Sequence, residues 1–381
     1  MEFAGLYIHI PFCKSKCFYC DFFSVAQLGR KKELVEALAL EIKNEKSFLG
    51  MNRPFLRTIY FGGGTPSLLD KEDFEEIFFT IEAHYDISYC EEITLEANPD
   101  DLNPDYIRML RELPFNRISI GVQSFMDSEL IAINRRHSAT QASEAIENCK
   151  KFGFDNISLD LMYGLPGQTL ESFRKSIDIA LKLPVNHISS YALSWEEGSV
   201  LFQKREQGLL IQTEDEILEA CYFELINRLK TGKFIQYELS NFALPGFESR
   251  HNSSYWCGLS YLGVGPGAHS YNGKVRRMNI HSIEKYITGI KLENPLRETE
   301  VLDVDARYND FIITRLRTVN GLSLTELGKT FGQERLDYCL KNAAKSLDNE
   351  FLAIKHDRLF LCKKGYFISD NILSDLLWVE D

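Results

Sequence analysis

In the first half of this chain, short runs rich in β-branched and aromatic residues alternate with longer stretches of helical period, and this pattern limits the possible folds more than any other feature. The strand-like runs are Leu6–Ile10, Thr58–Phe61, Ile93–Glu96, Arg117–Gly121, Ile157–Leu161 and His187–Leu193. Between them, Lys31–Phe48, Lys71–His84, Gln141–Phe152 and Leu170–Leu183 are each long enough to carry the chain across to a parallel neighbour. Six βα units in a row predict an α/β fold with a parallel sheet. Periodicity alone does not decide whether that sheet closes as a full or partial barrel or stays open and doubly wound.

The second half reads differently. A helical stretch at Glu214–Leu229 is followed by a segment, Tyr237–Tyr271, rich in glycine, aromatic residues and turn formers, which predicts a loop-rich connector. From Val301 the pattern is three helices and then two short strands, Phe351–Ile354 and Leu359–Cys362, joined by His356-Asp357-Arg358. This is a winged-helix-like α+β pattern. The expected divisions are a barrel-sized unit at 1–236, a connector at 237–300 and a small domain at 301–381, which suits a chain of 381 residues. Winged helices often bind DNA, yet residues 301–381 hold 11 Lys and Arg against 13 Asp and Glu, and the whole chain carries a net charge of −12. Without a basic footprint nucleic acid is excluded as a partner, and the domain reads as a packing or substrate-covering module. A hydrophobic fraction of 44% is that of an ordinary globular protein. No apolar run reaches the ~20 residues of a membrane span, and Met1–Ile10 lacks the basic and apolar regions of a secretory signal. The expected location is the cytoplasm, with at most peripheral contact with a membrane.

Three of the nine cysteines, Cys13, Cys17 and Cys20, fall within eight residues immediately after the first predicted strand. In a reducing compartment such a cluster points to metal or catalysis rather than to disulfides. A cubane cluster normally takes four thiolates, so three from one loop leave one iron with an open position. The alternatives are a structural zinc with His9 as fourth ligand, or three buried thiols. The other six cysteines look like scattered core thiols.

The stretch Tyr7-Ile-His-Ile-Pro-Phe-Cys13 through Cys20-Asp-Phe22 resembles the opening of the radical S-adenosylmethionine (SAM) proteins related to oxygen-independent coproporphyrinogen oxidase. The resemblance implies a partial (β/α)6 barrel with its active face at the C-terminal ends of the strands. It also implies a [4Fe-4S] cluster on Cys13, Cys17 and Cys20, and SAM chelating the open iron until an electron from the cluster cleaves its sulfonium to a 5′-deoxyadenosyl radical. Residues matching the family's SAM contacts sit at or near the strand ends. Gly63, Gly64 and Thr65, in Gly62–Pro66, would let backbone approach the ligand. Glu96, Gln123 and Asp160 supply acceptors for an amine or ribose hydroxyls, and Arg135 offers a fork for a carboxylate. Tyr7 and Tyr19 flank the cysteines. Gly164–Thr169 after the fifth strand and the winged-helix-like tail extend the resemblance over nearly the whole chain.

Two departures separate the sequence from the oxidase. Phe22 stands where a fourth cysteine is expected, and only six residues precede Tyr7, where the oxidases carry a long extension over the substrate site. The connector also holds His251-Asn-Ser-Ser-Tyr255-Trp256, an HNxxYW stretch that resembles the haem chaperones forming the non-oxidase branch of the family. That branch implies haem b as cargo, His251 as a candidate iron ligand, and haem-acceptor proteins such as respiratory enzymes at the membrane. His9 and His269 are rival ligands. The alternative reading is an oxidase decarboxylating coproporphyrinogen III. An acidic surface does not choose between a monomer and a dimer.

Overall fold

In a computed structural model, residues 3–26, 29–51 and 53–379 are described. The six predicted strands form as β1 (Phe3–Ile10), β2 (Phe55–Gly63), β3 (Glu92–Ala97), β4 (Arg117–Gln123), β5 (Asn156–Tyr163) and β6 (His187–Ala192), paired in parallel in that order. Their residues are buried almost without interruption, as a sheet covered by crossover helices requires. Those helices span Lys31–Asn44, Lys71–His84, Pro104–Arg111, Ala139–Lys151 and Leu170–Ala180. The helix at Lys71–His84 starts on a capping box, in which Asp70 accepts from the Asp73 amide and Asp73 from the Asp70 amide. The helix at 104–111 lies outside the helical stretches expected from the sequence, being only eight residues long.

The segment expected to be a connector, 237–300, contributes five short strands to the sheet. Two short strands, β7 (Ile235–Gln236) and β8 (Asn241–Ala243), extend one edge beyond β6 antiparallel. At the other edge β9 (Tyr261–Val264) pairs parallel to β1, and β10 (His269–Tyr271), β11 (Val275–Asn279) and β12 (Arg297–Val301) continue antiparallel. The result is one 12-stranded sheet in the order β12-β11-β10-β9-β1-β2-β3-β4-β5-β6-β8-β7. It is open, because β12 and β7 are its unpaired ends. The parallel part is the partial (β/α)6 barrel. Turn-rich composition hid these strands, each only two to five residues long.

Residues beyond Val301 fold around a second core of Tyr308, Ile312, Leu316, Leu322, Leu327 and Leu359. Helices at Val304–Leu316, Leu324–Phe331 and Gln333–Asp348 precede the hairpin β14 (Leu352–Lys355) and β15 (Arg358–Leu361), and the short β13 (Leu322–Ser323) completes the sheet against β15. The hairpin turns at His356 and Asp357, both with positive φ. A final helix covers Ser369–Leu376. None of the described helices is long and apolar enough to cross a membrane.

Candidate functional site

The cysteine loop follows β1 and is pinned by backbone at several points. At its base the Cys13 amide donates to Val25 (3.0 Å) and the Val25 amide to Pro11 (2.7 Å). Midway, the Phe18 amide donates to Ile133 (3.2 Å) and the Leu201 amide to Phe18 (3.0 Å), tying the loop to segments beyond β4 and β6. The Cys20 amide turns back onto Cys17 (3.3 Å). All three thiols are half-buried, and all face one cavity of about 430 Å³.

That cavity opens at the C-terminal ends of the parallel strands. It brings together Cys13, Cys17, Cys20, Tyr19, Gly63, Gly64, Thr65, Glu96, Gln123, Arg135 and Asp160, all but two of the site residues expected from the sequence. Gly64 is confined to glycine by space: a Cβ there would lie 2.7 Å from the Phe12 carbonyl oxygen and 2.9 Å from that of Ile10. The Thr65 hydroxyl donates to Cys13 Sγ (3.4 Å) and Arg135 Nη1 to Cys17 Sγ (3.5 Å). Arg135 Nη2 also donates to Asn98 Oδ1 (2.7 Å) and to the Gly121 carbonyl, while its buried Nε has no partner among the described residues. Gln123 ends β4 in the left-handed region, with φ 71°, at a register shift against β5. Strain of this kind turns a side chain toward a site.

The electrostatics set two carboxyls, Glu96 and Asp160, beside two guanidinium groups, Arg117 and Arg135. Glu96 accepts from the Tyr60 hydroxyl (2.6 Å) and the Gly63 amide (3.2 Å), yet burial, reinforced by Asp160, pushes its carboxyl up to about 7. Burial likewise pushes Asp160 up to about 6, against the pull of Ser189 and of the Arg117 and Arg135 guanidinium groups. Burial also drives Cys20 up to about 11, so a thiolate at this position needs a compensating positive charge. Arg117 was missed by the sequence reading. It is 1% exposed, and its Nε and Nη1 have no partner among the described residues. The available signal was a cation opening the β-branched strand Arg117-Ile-Ser-Ile.

No three His, Cys, Asp or Glu side chains among the described residues gather tightly enough to hold a lone metal ion. Three sulfur donors around a cavity wall, with an unpartnered guanidinium N–H nearby, fit a larger cluster and an anionic chelating ligand.

Two expected residues lie elsewhere. Tyr7 faces a second cavity, where its hydroxyl meets His9 Nδ1 (3.1 Å). His251 lines neither the cysteine cavity nor this second one. Its helix, Arg250–Trp256, starts on the buried Glu92 carboxylate, which accepts from the amides of Arg250 (2.9 Å) and His251 (3.1 Å). This start sinks the imidazole to 2% exposure between Thr58 Oγ1 on Nδ1 (2.8 Å) and the Tyr255 hydroxyl on Nε2 (2.8 Å). The ring stacks on Tyr60 at 4.9 Å, and burial pushes it down to about 3. With both nitrogens engaged, neither is free for iron. His9 is also occupied, its Nε2 meeting the Phe23 carbonyl at 2.9 Å.

The radical SAM superfamily pattern matches residues 7–180. The chain is 33% identical to a protein of Lactococcus lactis named heme chaperone HemW, over 97% of this chain and 96% of that one. It is 35% identical to the protein of the same name from Mycobacterium tuberculosis, over 98% and 94%. Its fold is that of coproporphyrinogen III oxidase from Escherichia coli, a radical SAM enzyme, with a TM-score of 0.84 over 98% of this chain and 90% of the other at 22% identity.

Proposed function

The chain belongs to the HemW heme-chaperone family of the radical SAM superfamily, and from that premise we propose that it binds haem and hands it to haem-requiring proteins. The observation that carries this reading is the near-full-length relationship, 33% identity over 97% of the chain, to a protein named for that role. The receivers in this reading are respiratory enzymes at the membrane.

The radical SAM site is part of the same reading. Cys13, Cys17 and Cys20 are the proposed cluster ligands, with Thr65 and Arg135 donating to two of their sulfurs. When bound, a [4Fe-4S] cluster and SAM supply one-electron reduction of a sulfonium. Glu96, backed by the Gly63 amide, is suited to hold an ammonium group, and Arg135 a carboxylate. Asp160 and Gln123 are suited to ribose hydroxyls, with Tyr19, Gly63 and Gly64 closing the walls.

The second reading, oxidative decarboxylation of coproporphyrinogen III, is favoured by the shared fold, but 22% identity carries fold alone. Against it stands Phe22 in place of a fourth cysteine, 64% exposed on the cavity wall. One anaerobic sample distinguishes the two. The expected result is a stoichiometric hemin complex and no protoporphyrinogen from coproporphyrinogen III with SAM and a reductant. Turnover to protoporphyrinogen without hemin binding would establish the oxidase.

A further inference from the structure

A second cavity, about 800 Å³, lies between the β9–β11 edge of the sheet and the C-terminal domain. It shares Asp21 and Phe22 with the cysteine cavity, so the two spaces meet at the end of the cysteine loop. Its volume falls within the roughly 300–1,000 Å³ of ligand sites. Its apolar walls are mainly aromatic. Tyr255 and Trp256 of the HNxxYW stretch stand on one side and Phe311 and Phe331 of the C-terminal domain on the other.

Three imidazoles line this space, His9 on β1, His269 on β10 and His281 after β11, and the last two differ from the first. Neither has a hydrogen-bond partner among the described residues, unlike His9 and His251, whose nitrogens are all engaged. His269 is itself exposed at the cavity surface, and partial desolvation, with His281 and Arg276 nearby, holds it below the usual histidine range; the neutral ring is the form that ligates iron. Gly267, at φ 79°, lets the His281 ring come close, since a Cβ there would lie 2.9 Å from its Cδ2. His281 in turn stacks on Phe23 at 5.5 Å and 12°.

The polar rim is cationic. Arg276 is paired with Asp310 (2.6 Å) and Glu300 (3.2 Å), and Arg315 with Glu326 (3.5 Å) and the Trp256 carbonyl. Arg307 has no carboxylate partner among the described residues and makes one bond, to the Asp303 carbonyl (3.2 Å). Asp21 is the other acid on this wall. An apolar space with a free imidazole and an unpaired guanidinium matches a flat macrocycle carrying a central metal and peripheral carboxylates.

We propose that this cavity is the haem site, with the iron on His269, a propionate at Arg307, and Tyr255 and Trp256 as wall. The inference rests on the haem-carrying reading above and gives it a location. The ligand comes from β10, and the HNxxYW histidine serves to hold the wall in place.

The test titrates the full-length, cluster-loaded protein anaerobically with hemin and separately with metal-free protoporphyrin IX, reading absorption spectra and affinities. His269→Ala should shift the Soret band and weaken hemin by at least about tenfold, while leaving protoporphyrin IX binding unchanged. Arg307→Ala should weaken both porphyrins by about fivefold without moving the Soret band. Both side chains lie at the surface of the cavity, and unchanged circular dichroism and iron content confirm that the variants fold. If wild type binds hemin and His269→Ala leaves spectrum and affinity unchanged, this site is wrong and the haem-carrying reading stands. A shift in His281→Ala alone would overturn His269 as the ligand. If wild type binds no hemin, the haem-carrying reading itself falls.

Discussion

Cys13, Cys17 and Cys20 are held by the backbone bonds of their loop to Val25, Ile133 and Leu201, so removing one thiol should leave the loop in place while removing a ligand. Each of the three Cys→Ala variants is expected to lose iron and acid-labile sulfide after anaerobic reconstitution. Changing Cys90, Cys149, Cys221, Cys257, Cys339 or Cys362 should not, and an equal iron loss in any of these would move the cluster. Glu96 gives a pH signature. In the ligand-free protein its carboxyl sits near 7, so an incoming ammonium must displace a proton below that pH. SAM affinity, followed by equilibrium dialysis, should rise by up to about tenfold per pH unit toward 7 and level off above it. Folding has the opposite slope: a carboxyl raised by burial holds its proton in the folded state, so its contribution to stability falls as pH climbs from the ordinary Glu range toward 7. Arg117 favours the Glu96 anion, so Arg117→Met should move the plateau in SAM affinity to higher pH. A plateau at the same pH would show that Arg117 does not act on Glu96. For His251, truncation to Ala strands Thr58 Oγ1 and the Tyr255 hydroxyl and opens a buried gap. The expected loss is about 3 kcal/mol of stability, read from the denaturant midpoint, with the hemin Soret band unmoved in protein that remains folded.

At the scale of elements, the site depends on β1 and β2 ending side by side, with the Gly64 amide donating to the Ile10 carbonyl (2.8 Å) as both strands run into their loops. The atoms facing the Gly64 Cα are backbone, so they cannot swing aside. Gly64→Ala should push the cysteine loop away, cost about 1–3 kcal/mol and lower cluster occupancy more than its loss of stability explains. Iron content equal to wild type would mean that the loop is set elsewhere. The six parallel strands and the cysteine loop were legible in the sequence because buried parallel strands are long runs of β-branched residues and because Cys13, Cys17 and Cys20 stand unusually close. β7 to β12 were not, since edge strands of two to five residues are held by their neighbours rather than by their own composition. His251 misled for a related reason. A histidine beside Tyr255 and Trp256 reads the same whether the aromatics frame a ligand or a hydrogen-bonded ring, and only the buried Glu92, far away in sequence, decides which side of the helix turns inward.

At the scale of the whole molecule, adding β9 to β12 beside β1 creates the edge against which the C-terminal domain closes the larger cavity, while the C-terminal ends of β2 to β6 surround the smaller one. Phe22, the residue that departs from the oxidase pattern, stands where the two meet. A barrel with a second, aromatic space beside its cysteine cavity suits a protein that keeps its cargo close to a redox centre. Handing on that cargo is the central claim, and a transfer assay tests it directly. Hemin-loaded protein is mixed anaerobically with membranes from haem-starved cells, and Soret absorbance is followed in supernatant and pellet together with respiratory oxidase activity. The account predicts that haem moves to the membranes and that activity returns, more fully than with the same amount of free hemin. Haem remaining on the protein, or activity restored no better than by free hemin, would contradict it.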